Sequence, residues 1–228
     1  GPEQIEALIS PLTSAIVVAH IAGEPVDIEG IVAVAAKYNL PVVEDCAQAH
    51  GAKINGKMVG TFGTVGAFST MSGKHHATGC QGGVVFTNSD ELYHTIRRNS
   101  DRGKPFFLPA GSTNAVASLN LNLNDFAATI GRVQLKKLPD INARRQIIVS
   151  KLGEGIGDLP TISLPTIIPG GEPVWWFLRL RFNAEQATCD KATYTQALIA
   201  EGLPRIASAA PSSNRWGPPP QIMATRVQ

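Results

Sequence analysis

The sequence is poor in cysteine, in charge and in long apolar runs. Only 17% of its 228 residues are charged, the net charge is +2, and lysines and arginines never stand more than two together, which leaves no footprint for nucleic acid. Cys46, Cys80 and Cys189 are far apart and odd in number, so we expect no disulfide framework and a reducing, cytoplasmic setting. The longest apolar runs, such as 15–19 and 31–36, are too short to span a bilayer.

One stretch in the first half of the chain places polar residues at the ends of apolar runs. A run that starts at Val42 ends in Asp45, and a second ends in Ser69 with Lys74 five residues later. A lysine amine can form a Schiff base with an aldehyde, a carboxylate can hold a pyridinium nitrogen, and a hydroxyl can take a phosphate. An aldehyde, a pyridine nitrogen and a phosphate are the three groups by which a protein binds pyridoxal phosphate, so we expect this cofactor.

Four motifs resemble the sugar aminotransferases of the DegT/DnrJ/EryC1/StrS family. They are E-D-x-A-Q-x-x-G-A from Glu44, G-x-F-S ending at Ser69, the lysine with its T-G-x-Q-G-G turn, and the helix 134–138. The resemblance covers roughly residues 5–151. It implies the fold type I architecture of pyridoxal-phosphate enzymes, an α/β domain with a mostly parallel sheet and helices on both faces.

The same resemblance suggests how the chain is divided. We expect a cofactor-binding large domain over 1–152 that lacks its N-terminal part, and part of a small α+β domain over 153–206. An irregular tail rich in Pro, Ser and Ala follows over 207–228. The chain is expected to be a piece of a longer protein, because the family has a substantial segment before this point.

Apolar runs, turn residues and caps predict the elements. Strands are expected at 14–20, 41–44, 65–70, 83–87 and 174–182, the first four in one mostly parallel sheet with Asp45, Ser69 and Lys74 at one edge. Helices are expected at 28–38, 90–99, 124–138, 140–152 and 190–201, with Pro139 separating the third from the fourth. Asn55-Gly56 predicts a tight hairpin turn.

The resemblance assigns five residues to the cofactor. Lys74 would be the Schiff-base lysine and proton carrier, and Asp45 would hold the ring nitrogen. Ser69 would bind the phosphate, Asn120 would reach the phosphate of the neighbouring subunit in a homodimer, and Gln48 would lie over the ring. Each of these residue types also has an ordinary structural role: aspartate as a cap, serine at a strand end, lysine in solvent, and asparagine or glutamine as a surface amide.

The implied reaction moves an amino group from glutamate or glutamine to a keto-sugar, often nucleotide-linked, or to a keto-cyclitol. A first alternative is a dehydratase on the same fold, whose members carry histidine at the lysine position. Counting back from 82–83 places His75 at the lysine position, whereas counting forward from Ser69 places Lys74 there. We prefer the count from Ser69, because the segment 78–82 holds one inserted residue. A second alternative is a non-catalytic fragment or regulatory homologue. His75 and His76 have no third ligand at metal-binding spacing, so we expect no metal.

Overall fold

The computed structural model describes residues 1–203, and the tail predicted over 207–228 lies outside them. The chain forms two compact units. The first holds 1–146 and 167–177, and the second holds 147–166 and, among the described residues, 178–203. The domain boundaries expected from the sequence stay a prediction. Among the described residues, no helix has the length and apolarity needed to cross a bilayer.

The first unit contains both strands and helices. In chain order they are α1 (Pro2–Glu6), β1 (Ile16–Ala19), a 3-10 turn (Ile21–Gly23), α2 (Ile28–Lys37), β2 (Val42–Asp45), β3 (Lys53–Ile54), β4 (Lys57–Met58), β5 (Val65–Ser69), β6 (Gly83–Phe86), α3 (Asp90–Ser100) and α4 (Asp125–Ile156), with β8 (Gly171–Glu172) later in the chain. The second unit holds the end of α4, then β7 (Ile162–Ser163), β9 (Arg181–Phe182) and α5 (Lys191–Ala200).

The central sheet has the strand order β1-β2-β5-β6. β1 pairs with β2 and β2 with β5 in parallel, and β6 runs antiparallel to β5. The expected α/β class and the single, mostly parallel sheet are therefore confirmed. Because the three parallel strands end at one edge, Asp45 and Ser69, which close β2 and β5, lie at the same edge.

Helix α2 connects β1 to β2 and covers the sheet. Asp27 caps it by accepting a 2.9 Å hydrogen bond from the Gly30 N–H. Ile28 and Ile31 on its inner side are buried with Ile16 of β1. Burial of a side chain such as Ile28 contributes about 1.5–3 kcal/mol, so this face fixes the helix against the sheet that carries the site.

A fully buried carboxylate joins three parts of this unit. Glu44 Oε2 accepts hydrogen bonds from Gly60 N at 2.7 Å and from His20 Nε2 at 3.2 Å, and Oε1 accepts from Phe62 N at 2.8 Å and Gly63 N at 2.6 Å. Burial raises the pKa of Glu44, but these hydrogen bonds outweigh burial and leave the pKa below its ordinary value of 4.5. The carboxylate therefore ties β2 to the loop before β5.

His20, Glu44 and Cys46 place their ligand-type atoms within 4.8 Å of one another. Val26 N donates to His20 Nδ1 at 3.2 Å, so Nε2 carries the proton that His20 gives to Glu44. Burial raises the pKa of the Cys46 thiol, which the nearby carboxylates Glu44 and Asp45 raise further. Because hydrogen bonds already occupy the imidazole and the carboxylate, and the thiol stays protonated, we interpret the cluster as structural.

Replacing Glu44 with glutamine is expected to lower the free energy of unfolding by about 3 kcal/mol near pH 7, because an amide nitrogen cannot accept the N–H groups that one carboxylate oxygen now accepts. The folded-state pKa of Glu44 is lowered, so the carboxylate contributes fully above about pH 4.5 and loses its contribution as the pH falls through the folded pKa. Urea denaturation at pH 7 and at lower pH measures this, with exposed Glu29→Gln as the matched control. Equal losses in the two variants would contradict the structural role of Glu44.

The prediction that Pro139 separates two helices is wrong, because α4 continues from Asp125 to Ile156 through that residue. Asn124 Oδ1 caps the helix by accepting from Ala127 N at 2.9 Å. Proline removes one backbone hydrogen bond but holds a φ that suits a helix. Lys136, Lys137 and Leu138, which precede Pro139, are strong helix formers, and one lost bond is a small part of a 32-residue helix.

The predicted hairpin is confirmed, because β3 and β4 pair through Asn55 and Gly56, both at positive φ. A strand was also predicted over 174–182, but only β9 forms there and it pairs with β7. Trp175 has φ of 53°, which a strand does not accommodate, and the backbone N–H groups of Val174 and Trp176 bond to the 3-10 turn instead. The helix predicted at 190–201 is confirmed as α5.

Candidate active site

Lys74 lies in a closed turn between β5 and β6. Thr70 N donates to Gly82 O at 2.8 Å, Thr78 N donates to Thr70 O at 3.0 Å, and the two threonine hydroxyls lie 2.9 Å apart. A Cβ at Gly82 would stand 2.5 Å from the Thr70 hydroxyl oxygen and 2.7 Å from that of Thr78, so only glycine fits between them. The buried threonine pair therefore fixes both ends of the loop that carries the lysine.

Both neighbours of Lys74 in the chain are bonded to one distant segment. The Trp176 indole N–H donates to Gly73 O at 3.0 Å, and His75 Nε2 donates to Val174 O at 2.9 Å. Lys74 Nζ lies 4.1 Å from the centre of a Trp176 ring. Hydrogen bonds therefore fix the residues on both sides of Lys74, and its amine rests on an aromatic face.

The Lys74 amine is half-buried, and burial lowers its pKa. The Asp45 carboxylate raises the pKa again without cancelling the effect of burial, so the net shift is downward. The two groups are therefore within electrostatic reach of each other. A lowered pKa leaves more of the amine neutral near pH 7, which is the form that acts as a nucleophile or a base.

Asp45 and Gln48 line one shallow pocket at the carboxyl edge of the sheet. Asp45 Oδ1 accepts from Ala47 N at 2.9 Å, so its other oxygen is the one left for a ligand among the described residues. Gln48 Oε1 accepts from Ala22 N at 2.6 Å. That bond orients the carboxamide so that its NH₂ group, a donor, is the end left to meet an acceptor on a ligand.

Ser69 and Asn120 each make local hydrogen bonds. Ser69 Oγ accepts from Met71 N at 3.3 Å, which leaves its hydroxyl proton available to a phosphate oxygen. Asn120 is exposed, forms an isolated bridge with Asp101, and accepts from the Asn122 amide and side chain through Oδ1. The role expected for Asn120 concerns a second subunit and stays a prediction.

Three histidines pack beside the lysine turn. His75 and His76 donate to the carbonyl groups of Val174 and Gly131, and their ring centres lie 6.2 Å and 6.0 Å from that of His50. Burial lowers the pKa of His75, and burial together with the other two histidines lowers the pKa of His50 to about 4. His50 and His75 are therefore neutral at pH 7, and His75 serves as a fixed donor in the fold.

The donor set fits pyridoxal phosphate. An amine with a lowered pKa, a carboxylate within its electrostatic reach and an amide that presents its NH₂ group stand at the edge where ligands of parallel sheets gather. Sequence reasoning identified Lys74 and Asp45, but it did not identify Trp176 as a contact of the lysine. No spacing pattern signals that contact, because the two residues are 102 positions apart.

The chain is similar to known aminotransferases in sequence. A model of the DegT/DnrJ/EryC1/StrS aminotransferase family matches residues 1–206. The chain is 37% identical over 188 residues to a protein of Aneurinibacillus thermoaerophilus named dTDP-3-amino-3,6-dideoxy-alpha-D-galactopyranose transaminase, with 82% of this chain and 50% of that protein covered. It is 33% identical over 175 residues to the L-glutamine:2-deoxy-scyllo-inosose aminotransferase of Micromonospora echinospora, with 72% and 41% covered.

The fold is also similar to that of a solved relative. The crystal structure of a DegT DnrJ EryC1 StrS aminotransferase from Brucella abortus superposes with a TM-score of 0.81 at 26% identity, covering 95% of this chain and 57% of that one. This chain spans half or less of the length of the two curated relatives named above. The family match, which covers every described residue, shows that the chain belongs to the DegT/DnrJ/EryC1/StrS aminotransferase family.

Proposed function

We propose that the protein is a pyridoxal-phosphate-dependent aminotransferase that moves an amino group from glutamate or glutamine to a keto-sugar, often nucleotide-linked, or to a keto-cyclitol. The observation that carries the proposal is the Lys74 amine. It is held in a closed turn, its pKa is lowered by burial, and the Asp45 carboxylate acts on it. An ordinary surface lysine has neither the fixed turn nor the lowered pKa.

Bound pyridoxal phosphate supplies an aldehyde that condenses with an amine and a ring that withdraws electrons from the substrate carbon. Lys74 provides the amine that retains the cofactor, and once displaced it moves a proton at the substrate carbon. Asp45 would hold the ring nitrogen, and the Gln48 NH₂ group would donate to an acceptor beside the ring. The Ser69 hydroxyl and, from a second subunit, Asn120 would hold the phosphate.

The substrate classes follow the relatives. One is named for a dTDP-linked amino sugar and the other for an inosose with L-glutamine as the donor. These names support a keto-sugar or keto-cyclitol acceptor for this chain, and the second supports glutamine as its donor. A homodimer and a cytoplasmic setting belong to the same proposal, and it includes neither a nucleic-acid nor a membrane partner.

The dehydratase alternative requires histidine in place of the catalytic lysine. His75 is buried, and its Nε2 proton is given to Val174 O. A general base must reach a substrate proton, and this ring is instead directed at a backbone carbonyl of its own fold. The geometry therefore favours Lys74 and the aminotransferase.

The proposal is tested by trapping the cofactor on the protein. We expect the chain with pyridoxal phosphate to show an absorbance band that glutamate or glutamine removes, and borohydride to fix the cofactor on the peptide that contains Lys74. Peptide mapping after reduction gives the position, and a sample reduced before the cofactor is added is the control. A protein that binds the cofactor and leaves Lys74 unlabelled would refute the aminotransferase, and one that binds none would favour the non-catalytic alternative.

A further inference from the structure

Trp176 makes three different contacts around the lysine turn. Its backbone N–H donates to Ala22 O at 2.7 Å, and its indole N–H donates to Gly73 O at 3.0 Å. The face of its ring lies 4.1 Å from Lys74 Nζ. One side chain thus fixes the residue before the lysine and also forms the surface on which the amine rests.

This tryptophan is itself held in place. Arg145 Nη1 donates to the carbonyl of Trp176 at 3.1 Å and to that of Trp175 at 2.8 Å. Trp175 is buried, and its indole N–H donates to Gln146 Oε1 at 2.8 Å. The aromatic face under Lys74 is therefore set by the fold before any ligand is bound.

An indole face distinguishes the two protonation states of the amine. The negative face of the ring attracts an ammonium group, with tryptophan the strongest of the aromatic residues, and it has no comparable attraction for a neutral amine. Asp45 also favours the charged form of Lys74. The neighbouring imidazoles, His50 and His75, have lowered pKa values and are neutral near pH 7, so they do not oppose the ammonium there.

We infer that Trp176 is a positioning residue that holds the protonated, unbonded form of Lys74 on its indole face and frees the amine when the proton leaves. The contact is a property of the cofactor-free chain. Its value for catalysis, which is to keep the displaced lysine beside the reacting carbon, rests on the proposed function.

The contact can be measured without cofactor. Lysines of the full chain are reductively methylated with ¹³C-formaldehyde, which preserves their titration, and the Lys74 signal is assigned by its loss in Lys74→Arg. Its pKa is then read from the ¹³C shift against pH in the parent, in Trp176→Leu and in Trp176→Phe. Leucine keeps an apolar cover without a ring, and phenylalanine keeps a weaker ring without the N–H.

We expect Trp176→Leu to lower the pKa of Lys74 by roughly half a unit to one unit, a three- to ten-fold loss of proton affinity, and Trp176→Phe to lower it by less. Phe62→Leu is the matched control, because Lys57 Nζ lies 4.2 Å from the centre of the Phe62 ring. It should move the Lys57 signal and leave Lys74 unchanged. Should Trp176→Leu fail to fold, Trp176→Phe decides.

A Lys74 pKa that stays or rises in the folded Trp176 variants would overturn the inference, since the ring would then act only as a cover. In a second arm, the rate at which borohydride-reducible cofactor forms on Lys74 is followed against pH. Its profile should shift to lower pH in Trp176→Leu by the same amount as the titration. Absence of any adduct in the parent protein would refute the proposed function and leave the titration result standing.

Discussion

Lys74→Ala is expected to abolish covalent retention of pyridoxal phosphate and to slow amino transfer by about 10⁴-fold. The nucleophile and the proton carrier are lost in one change, and each role alone contributes orders of magnitude. The measurements are borohydride trapping with peptide mapping and the single-turnover rate of amino transfer. The fold should survive, because the turn is closed by Thr70, Thr78 and Gly82 rather than by the lysine side chain.

His75→Ala, at the residue that follows Lys74, is the matched comparison for Lys74→Ala. We expect this variant to lose stability, because it removes a buried ring and the 2.9 Å hydrogen bond to Val174 O, but to keep amino transfer within about ten-fold of the parent. A dehydratase would show the reverse ranking. Activity that is lost in His75→Ala and kept in Lys74→Ala would therefore overturn the assignment of Lys74.

Asp45→Asn is expected to slow amino transfer by about 10²–10³-fold while leaving the cofactor on Lys74. Asparagine keeps the oxygen that accepts from Ala47 N, so the local turn is preserved and only the charge is removed. A carboxylate stabilises a protonated ring nitrogen, whereas a neutral amide cannot. The rate of proton loss from the substrate carbon, measured with deuterated donor, should carry most of the effect.

The same substitution has a second readout in the cofactor-free chain. Asp45 raises the pKa of Lys74, so removing its charge should lower that pKa further. Asp27→Asn is a matched control, since Asp27 Oδ1 also accepts a backbone N–H, that of Gly30, outside the candidate site. An Asp45→Asn variant with the activity of Asp27→Asn would show that Asp45 does not face the ring nitrogen.

Local signals in the sequence predicted much of the fold. Asp27 caps α2, Ser89 caps α3, and Asn55-Gly56 makes the predicted hairpin, because caps and tight turns are decided by neighbouring residues. Pro139 misled for the same reason: its local preference is real, but α4 is long enough to absorb one missing hydrogen bond. The segment 174–182 was predicted to be a strand, but hydrogen bonds to a distant segment decide the conformation at its start.

The sequence likewise predicted some residues of the candidate site and missed the contacts that distant segments make. Asp45, Ser69 and Lys74 stand at strand ends or in a glycine-rich turn, so their types and order were visible in the sequence. The buried bonds of Glu44 and the indole under Lys74 were not predicted. Both depend on contacts between distant segments, and no periodicity along the chain encodes the partner of a side chain across the fold.

The hydrogen bonds that fix the two neighbours of Lys74 can form only late in the synthesis of the chain. The bonds that fix its neighbours join residues 103 and 99 positions apart. At roughly 5–20 residues per second on a ribosome, the lysine turn leaves the exit tunnel several seconds before Val174 and Trp176 do. During that interval the newborn chain carries a lysine without its aromatic support, and the reactive geometry is completed only when the later segment arrives.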